Sequence, residues 1–223
     1  VKYMTAKEED ILTSTNLIEQ GVVITKLLES VIADPKVKLD DMLIGDKNAI
    51  MIGTRILGYG KDYNVTLIDP DTEERVEHTV DLTTLTNVEI DVELYKNGNN
   101  FEYELPNSKR VIGFKLLSTG DEKEIDKILK DYEKVEKLTG VSSELTTRFK
   151  YQIQSVDGDK EQSVIDNFVD NEFLALDTRE FRKHLTLINP DVELKFDYTS
   201  QTGNLHKIDV PLGIDFFWPA AGE

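Results

Sequence analysis

The chain has 223 residues, with 43 acidic and 26 basic side chains and a formal net charge of −17 at pH 7. Phosphate binding needs clustered Lys and Arg. The longest basic run is Arg182-Lys183-His184, so the sequence predicts no nucleic-acid partner. No apolar run reaches the roughly 20 residues of a membrane-spanning helix, and none is expected.

The sequence contains no cysteine, which excludes disulfides, thiolate catalysis and cysteine-ligated zinc or iron–sulfur sites. Its length suits one large domain or two small ones. The acidic balance has two interpretations. It can serve solubility and suppress self-association, or it can form a surface that docks on a basic partner.

The N-terminal part has a helical pattern. Thr5 and Glu8 have the spacing of a capping box, which predicts a short helix through Leu12. The segment Val22–Ile32 has apolar residues at three-and-four spacing and predicts a buried amphipathic helix. Pro35 ends it, because proline disfavours helix in the residue before it.

The segment Leu43–Tyr63 is the junction between helix and strand. Its apolar residues predict a central helix covered on more than one side. Gly58 and Gly60 then break the helix, because glycine adopts the left-handed conformation without a Cβ penalty. The buried helix face is expected to contain Ile50, Ile56 and Leu57, widened by Met51 and Ile52.

Alternating polar and apolar residues after this helix predict strands. Asn64–Ile68 and Arg75–Val80 form a hairpin around the turn Asp69-Pro70-Asp71-Thr72. Further strands are predicted by the same alternation at Val88–Leu94, Asn100–Glu104 and Arg110–Leu117.

Helical spacing returns after these strands. Thr119 and Glu122 suggest a second capping box. The stripe of the following long helix comprises Ile125, Ile128, Leu129, Tyr132, Val135 and Leu138. After Gly140, Leu145–Val156 continues a helical stripe, although Tyr151–Val156 also suits a strand.

Two further helices and a last strand follow. Asp159 is placed to cap a helix that contains Ile165 and Phe168. Asp177 opens another helix, which Pro190 closes. Residues from Val192 alternate again, so a second hairpin is expected.

These elements predict the α+β class: a mostly helical body, a β region inserted after the central helix, and a C-terminal hairpin related to the first. The predicted segments are 1–62 (helical), 63–118 (β insertion), 119–190 (helical) and 191–223 (hairpin and aromatic tail), together expected to form one compact domain.

The two hairpins share a faint repeat. In each, a histidine follows an aspartate by nine residues and a second aspartate follows by twelve: Asp69, His78 and Asp81 in the first, and Asp197, His206 and Asp209 in the second. One histidine and two carboxylates fall short of a closed tetrahedral site. Turn and strand roles are therefore favoured over metal ligation, and no metal site is predicted.

The sequence contains no recognisable catalytic or cofactor motif. The string Gly58-Tyr59-Gly60-Lys61 resembles a phosphate loop, but it follows a helix, whose C-terminal carbonyls repel phosphate. Carboxylate pairs are too numerous for spacing to select a glycosidase-like pair. We expect no catalytic residue, no cofactor and no enzymatic activity.

The aromatic string Phe216-Phe217-Trp218-Pro219 contains the single tryptophan. Two interpretations compete. The tail can fold back into the core of its own domain, because aromatic side chains bury large areas, and this is favoured. Alternatively, Phe216, Phe217 and Trp218 dock in a partner protein, since aromatic residues are enriched at interface hot spots.

Three strings carry a family resemblance: EEDIL at 8–12, GDKNAIMIGTRILGYGKDY at 45–63 and PLGIDFFWP at 211–219. In combination they resemble the baseplate hub and hub assembly proteins of T4-type contractile-tailed phages. The similarity extends over nearly the whole chain. Some members of that family carry paired cysteines in such hairpins, where zinc would pin the turn. Those thiolates are absent here, so that site does not carry over.

The resemblance implies a non-enzymatic protein of the phage tail baseplate, assembled in the host cytoplasm. Its implied partners are other hub proteins or tape-measure proteins, bound by shape-complementary docking. Two alternatives stay open. One is an assembly chaperone absent from the mature particle. The other is a hydrolase with an unrecognised carboxylate site, which a pocket with two acids of perturbed pKa would mark.

Overall fold

A computed structural model describes residues 1–212 and 214–217, and only the backbone at 133–139, 214 and 215. The α-helices of this part are α1 (Ala6–Leu12), α2 (Thr15–Glu19), α3 (Val23–Val31), α4 (Ile44–Tyr59), α5 (Thr119–Thr139), α6 (Glu144–Gln152), α7 (Gln162–Asn167) and α8 (Ala175–Ile188). The strands are β1 (Asp62–Ile68), β2 (Arg75–Asp81), β3 (Phe101–Glu104), β4 (Val111–Phe114), β5 (Ile153–Val156), β6 (Lys195–Thr199) and β7 (Leu205–Asp209).

All of these strands pair antiparallel. β1 and β2 form one hairpin, β6 and β7 form another, and β3, β4 and β5 form a three-stranded sheet in that order. Helices with small antiparallel sheets confirm the predicted α+β class.

The chain divides into two compact units. Unit 1 comprises 1–39, 45–88 and 191–223, and unit 2 comprises 40–44 and 89–190. Unit 1 therefore contains both hairpins and α1 to α3, and unit 2 contains the three-stranded sheet. The division into four segments stays a prediction.

The capping box predicted at the start of α1 is confirmed. The Glu8 carboxylate accepts hydrogen bonds from the Thr5 N–H at 2.9 Å and from the Thr5 hydroxyl at 2.5 Å. Glu8 is almost fully buried, and these bonds lower the pKa of its carboxyl, against the opposing effect of burial. α1 packs on α3, whose buried residues Leu27 and Val31 follow the predicted helical stripe.

The central helix α4 forms where predicted, but Gly58 does not break it. The helix includes Gly58 and ends before Gly60, which has a φ of 86°. Its buried face differs from the prediction. Ile50 and Ile56 are only partly buried and Leu57 is exposed, whereas Thr54 and Arg55 are buried with Met51 and Ile52. The apolar spacing predicted where the helix lies but not which residues are buried. A long polar side chain can also be buried where backbone carbonyls nearby accept its hydrogen bonds.

The core of unit 2 lies between the three-stranded sheet and its helices. Its almost fully buried members include Leu105, Ile112, Phe114, Phe168 and Phe181. Phe114 and Phe181 meet edge to face, with ring centroids 5.0 Å apart. Such aromatic pairs add to the stability gained from burial alone.

The cap of α5 is shifted by one residue from the prediction. Ser118 and Asp121 form the reciprocal pair: the Ser118 N–H donates to the Asp121 carboxylate at 2.9 Å, and the Asp121 N–H donates to the Ser118 hydroxyl at 3.1 Å. Glu122 instead bonds to Arg148 at 2.5 Å. The predicted stripe members Val135 and Leu138 lie outside the residues whose side chains are described.

The strand predicted at Val88–Leu94 is wrong. Asn87 makes a single bridge to Val192, and Val92–Tyr95 is a turn of 3-10 helix capped by Asp91. A segment with alternating polarity forms a β-strand only where a partner strand is available to pair with it. Here the Asp91 carboxylate instead accepts the Glu93 N–H at 3.0 Å, which favours a local turn.

Both interpretations of the segment after Gly140 are partly realised. α6 ends at Gln152, and β5 begins at the next residue and pairs with β4. α7 begins after Glu161 rather than at Asp159, whose carboxylate accepts the Glu161 N–H at 2.9 Å. α8 begins at Ala175, two residues before Asp177.

Candidate functional site

The two hairpins of unit 1 contact each other through ring stacking. His78 of β2 lies parallel to Phe196 of β6, with ring centroids 5.3 Å apart and 11° between the planes. Its edge also meets Tyr198 at 5.3 Å and 87°. Phe196 and Tyr198 are buried residues of an alternating strand, so the second hairpin presents its apolar face to the first.

The loops of the two hairpins are joined by hydrogen bonds, in an arrangement that we name the loop clasp. Its members are Asp69, Asp71, Tyr198, Ser200, Gln201, Thr202 and Asn204. Asp69 is fully buried at its centre. The Asp69 carboxylate accepts the Tyr198 hydroxyl at 2.8 Å and the Gln201 N–H at 2.9 Å from the second hairpin.

The same carboxylate also holds its own turn. It accepts the N–H groups of Asp71 at 2.9 Å and Thr72 at 3.1 Å. Burial opposes ionisation of Asp69, but these four donors outweigh it and lower the pKa of Asp69 to about 2. Asp69 is therefore an anionic structural centre of the loop clasp at neutral pH.

Asp71 forms the outer half of the loop clasp. Its carboxylate accepts the Ser200 hydroxyl at 2.5 Å, the Thr202 hydroxyl and the Asn204 side-chain amide at 3.0 Å. These bonds hold the pKa of Asp71 well below its usual range. The His206 Nε2 lies 3.1 Å from the other Asp71 oxygen.

The candidate ligands Asp69, His78 and Asp81 are not brought together. Asp69 centres the loop clasp, His78 is stacked on aromatic rings, and Asp81 pairs with Lys61 at 2.5 Å and caps the next turn through Thr83. Among the described residues, no group of three potential metal ligands forms. The repeat positions serve different roles in the two hairpins, since Asp197 is exposed where Asp69 is buried.

The aromatic tail lies in unit 1. Phe216 and Phe217 are fully buried, and Phe216 meets Tyr63 edge to face with centroids 5.0 Å apart. The Tyr63 hydroxyl also donates to the Pro211 carbonyl at 3.1 Å. Burial of these rings in their own chain matches the core interpretation. Docking of a partner by Phe216 and Phe217 stays a prediction, and Trp218 lies outside the described residues.

Arg55 is a buried residue that the sequence reasoning missed. It donates to the carbonyls of Gly60 at 3.1 Å and Asp62 at 3.3 Å, and its guanidinium lies over the rings of Tyr59 and Tyr63. Arg55 therefore fixes the turn from α4 into β1. The signal was a charged residue within a helical stripe, followed four and eight residues later by tyrosines.

The string that resembled a phosphate loop has a structural role. The Gly60 carbonyl accepts from Arg55, and Lys61 pairs with Asp81. The first contact closes the α4–β1 junction, and the second ties the start of β1 to the end of β2.

Asp177 has a comparable role in unit 2. It is fully buried, and its carboxylate accepts the N–H groups of Asn107 at 2.8 Å and Ser108 at 2.9 Å. Burial alone would raise the pKa of Asp177, but these bonds lower it. A carboxylate held ionised by backbone donors is typical of a structural position and differs from a general acid, whose pKa is raised.

Unit 2 also has two recesses. One, of about 580 Å³, is lined by apolar residues that include Leu94, Phe101 and Ile188 and by polar residues that include Glu102. The other, of about 650 Å³, is mostly polar and contains the ion pairs Lys115–Asp121 and Lys150–Asp170, each 2.7 Å long.

Helices in the described part of the chain lack the combination of length and apolar character needed to cross a bilayer. α5 is the longest at 21 residues, and its sequence is dominated by Lys, Asp and Glu.

Comparison with protein families gives a match over residues 1–218 to the model described as T4 bacteriophage base plate protein. The chain belongs to this baseplate family. No match is found among curated proteins or among solved structures. Membership of the T4 baseplate family places the protein in the bacteriophage tail baseplate and implies contact with other baseplate proteins.

Proposed function

We propose that this baseplate protein is a non-enzymatic hub component that acts in tail assembly by docking to hub or tape-measure proteins, with assembly in the host cytoplasm. The observation that carries the proposal is the family match over residues 1–218. The buried carboxylates support a structural role, because Asp69 and Asp177 are saturated by donors from the chain itself.

The outer side of α8 offers a surface suited to docking. Leu176 and Leu187 are 57% and 73% exposed. They lie eleven residues apart, which is about three helical turns, so they share one side of the helix. Between them Glu180 and Lys183 form an ion pair at 2.9 Å. Exposed apolar side chains can form the centre of a partner interface, with polar side chains at its rim.

A conditional-nonsense mutant phage tests the proposed function. In a non-suppressing host, we expect lysates without complete baseplates by electron microscopy, because a missing hub component blocks tail growth. A plasmid copy of the wild-type chain should restore infectious particles, while an empty plasmid serves as the control. Normal particle yield and intact baseplates without the protein would contradict a role in assembly.

A further inference from the structure

The three-stranded sheet of unit 2 has a free edge at β3, which pairs with β4 alone. The Leu105 N–H donates to the Arg110 carbonyl at 2.9 Å, towards β4. Along an antiparallel strand, the backbone N–H and C=O of successive residues point alternately to one side of the strand and to the other. Those of Glu102 and Glu104 therefore point to the outer edge, where no backbone partner is present within the described residues.

The recess of about 580 Å³, which has both apolar and polar lining residues, reaches this edge. Phe101 and Glu102 of β3 line it together with Leu94, which is 45% exposed. A strand that pairs with an open edge gains affinity from its main chain, and a recess that accepts an alternate side chain adds specificity. The β3 edge can supply the main-chain hydrogen bonds, and the recess can supply the side-chain specificity.

The charge of the chain segment beside this edge is mostly negative, although Lys160 also lines the recess. Residues 89–104 contain Glu89, Asp91, Glu93, Glu102 and Glu104 against the single base Lys96. Lys96 pairs with Glu93, and Lys109 lies 3.9 Å from Glu104. Glu102 is exposed and has no salt bridge among the described residues, so its carboxylate is available to a cationic partner.

We propose that the outer edge of β3 binds an extended segment of another baseplate protein that carries Lys or Arg on either side of an apolar residue. The segment adds a fourth strand, its apolar side chain enters the recess beside Leu94, and its basic side chains meet Glu102 and Glu104. A second copy of this chain is disfavoured, because edge-to-edge pairing would bring like carboxylates together.

This inference rests on the proposed docking function, but its test uses purified protein and does not depend on particle assembly. The probe is the synthetic peptide Lys-Val-Lys-Leu-Lys-Val-Lys, titrated by calorimetry into the full chain. The matched control has the same sequence with every backbone nitrogen methylated, so it keeps the charge and loses the main-chain donors. We expect the parent peptide to bind and the methylated one to bind at least tenfold more weakly, roughly the effect of losing one or two hydrogen bonds.

Two variants at one position separate charge from strand pairing. Glu102→Gln and Glu102→Pro lose the same carboxylate, but proline also removes the outward N–H while leaving the inward bonds to β4. We expect Glu102→Pro to bind the peptide roughly two- to tenfold more weakly than Glu102→Gln. Thermal unfolding of both variants checks that they are folded.

Hydrogen exchange of the wild-type chain provides a readout that needs no variant. The Glu102 amide should exchange more slowly when the peptide is saturating, because it then donates to the added strand. Equal affinity of both peptides, or unchanged Glu102 exchange at saturation, would overturn the proposal. If that occurs while the conditional-nonsense phage still lacks baseplates, the assembly function stands and the β3 edge is not its docking site.

Discussion

At the residue scale, Asp69 is the buried centre of the loop clasp. It receives four hydrogen bonds, two of them from residues about 130 positions later in the chain. Removing one partner of a buried, charged hydrogen bond leaves the others unsatisfied. Asp69 therefore stabilises the contact between the two hairpins as well as its own turn.

Replacing Asp69 tests this role. In Asp69→Asn one acceptor oxygen becomes a donor that faces other donors, so we expect the thermal midpoint to fall by several degrees. The control is Asp197→Asn, which changes the corresponding repeat position on the exposed side of β6 and should leave the midpoint nearly unchanged. Equal midpoints for both variants would show that the loop clasp does not contribute to stability.

The low pKa of Asp69 predicts an acid dependence with a defined sign. Its folded pKa, about 2, lies below the roughly 3.9 of an unfolded aspartate. The contribution of Asp69 is thus fully present above about pH 4 and is lost as the pH falls towards 2. Urea unfolding at several pH values should show the stability difference between wild type and Asp69→Asn narrowing across this window. A difference that is constant down to pH 2 would contradict the assignment.

At the scale of elements, the start of α5 depends on one reciprocal cap. Asp121 accepts the Ser118 N–H and also pairs with Lys115. We expect Asp121→Ala to lower the free energy of unfolding by about 1 kcal/mol, the usual effect of losing a cap. Asp126→Ala, on an exposed position of the same helix, is the control. Denaturant unfolding of both variants measures the difference, and equal losses would argue against the cap.

The tail element offers a test of core packing against docking. Phe216 is fully buried against Tyr63, so Phe216→Ala should cost about 3–5 kcal/mol of stability in the isolated chain. Leu205→Ala, at a side chain that is 69% exposed, should change stability by less than about 0.5 kcal/mol. A stable Phe216→Ala protein that fails only in assembly would instead favour the docking interpretation.

Local patterns allowed most helices and strands to be predicted. The Thr5–Glu8 cap and the break at Gly60 are decided by neighbouring residues, so they could be read from the sequence. The segment Val88–Leu94 alternates equally well, yet no partner strand lies beside it in the part described. Alternating polarity shows that a segment could be a strand, but it does not show whether another strand is present to pair with it.

At the scale of the whole molecule, the loop clasp could not be predicted. It joins Asp69 to Tyr198 across 129 positions of the chain, and only the faint His and Asp repeat related the two hairpins in advance. The burial of Arg55 could not be predicted either, because the turn itself positions the backbone carbonyls that accept its hydrogen bonds. The family resemblance was carried by strings spread over the chain, and the match over residues 1–218 confirms it.

The most direct test of the account is quantitative mass spectrometry of purified phage particles beside lysate of infected cells. A hub component of the baseplate should be present at a fixed copy number in particles and in tail intermediates. Presence in intermediates but absence from particles would contradict a structural subunit and indicate an assembly chaperone. Absence from both, with abundant free protein in the lysate, would contradict the baseplate function altogether.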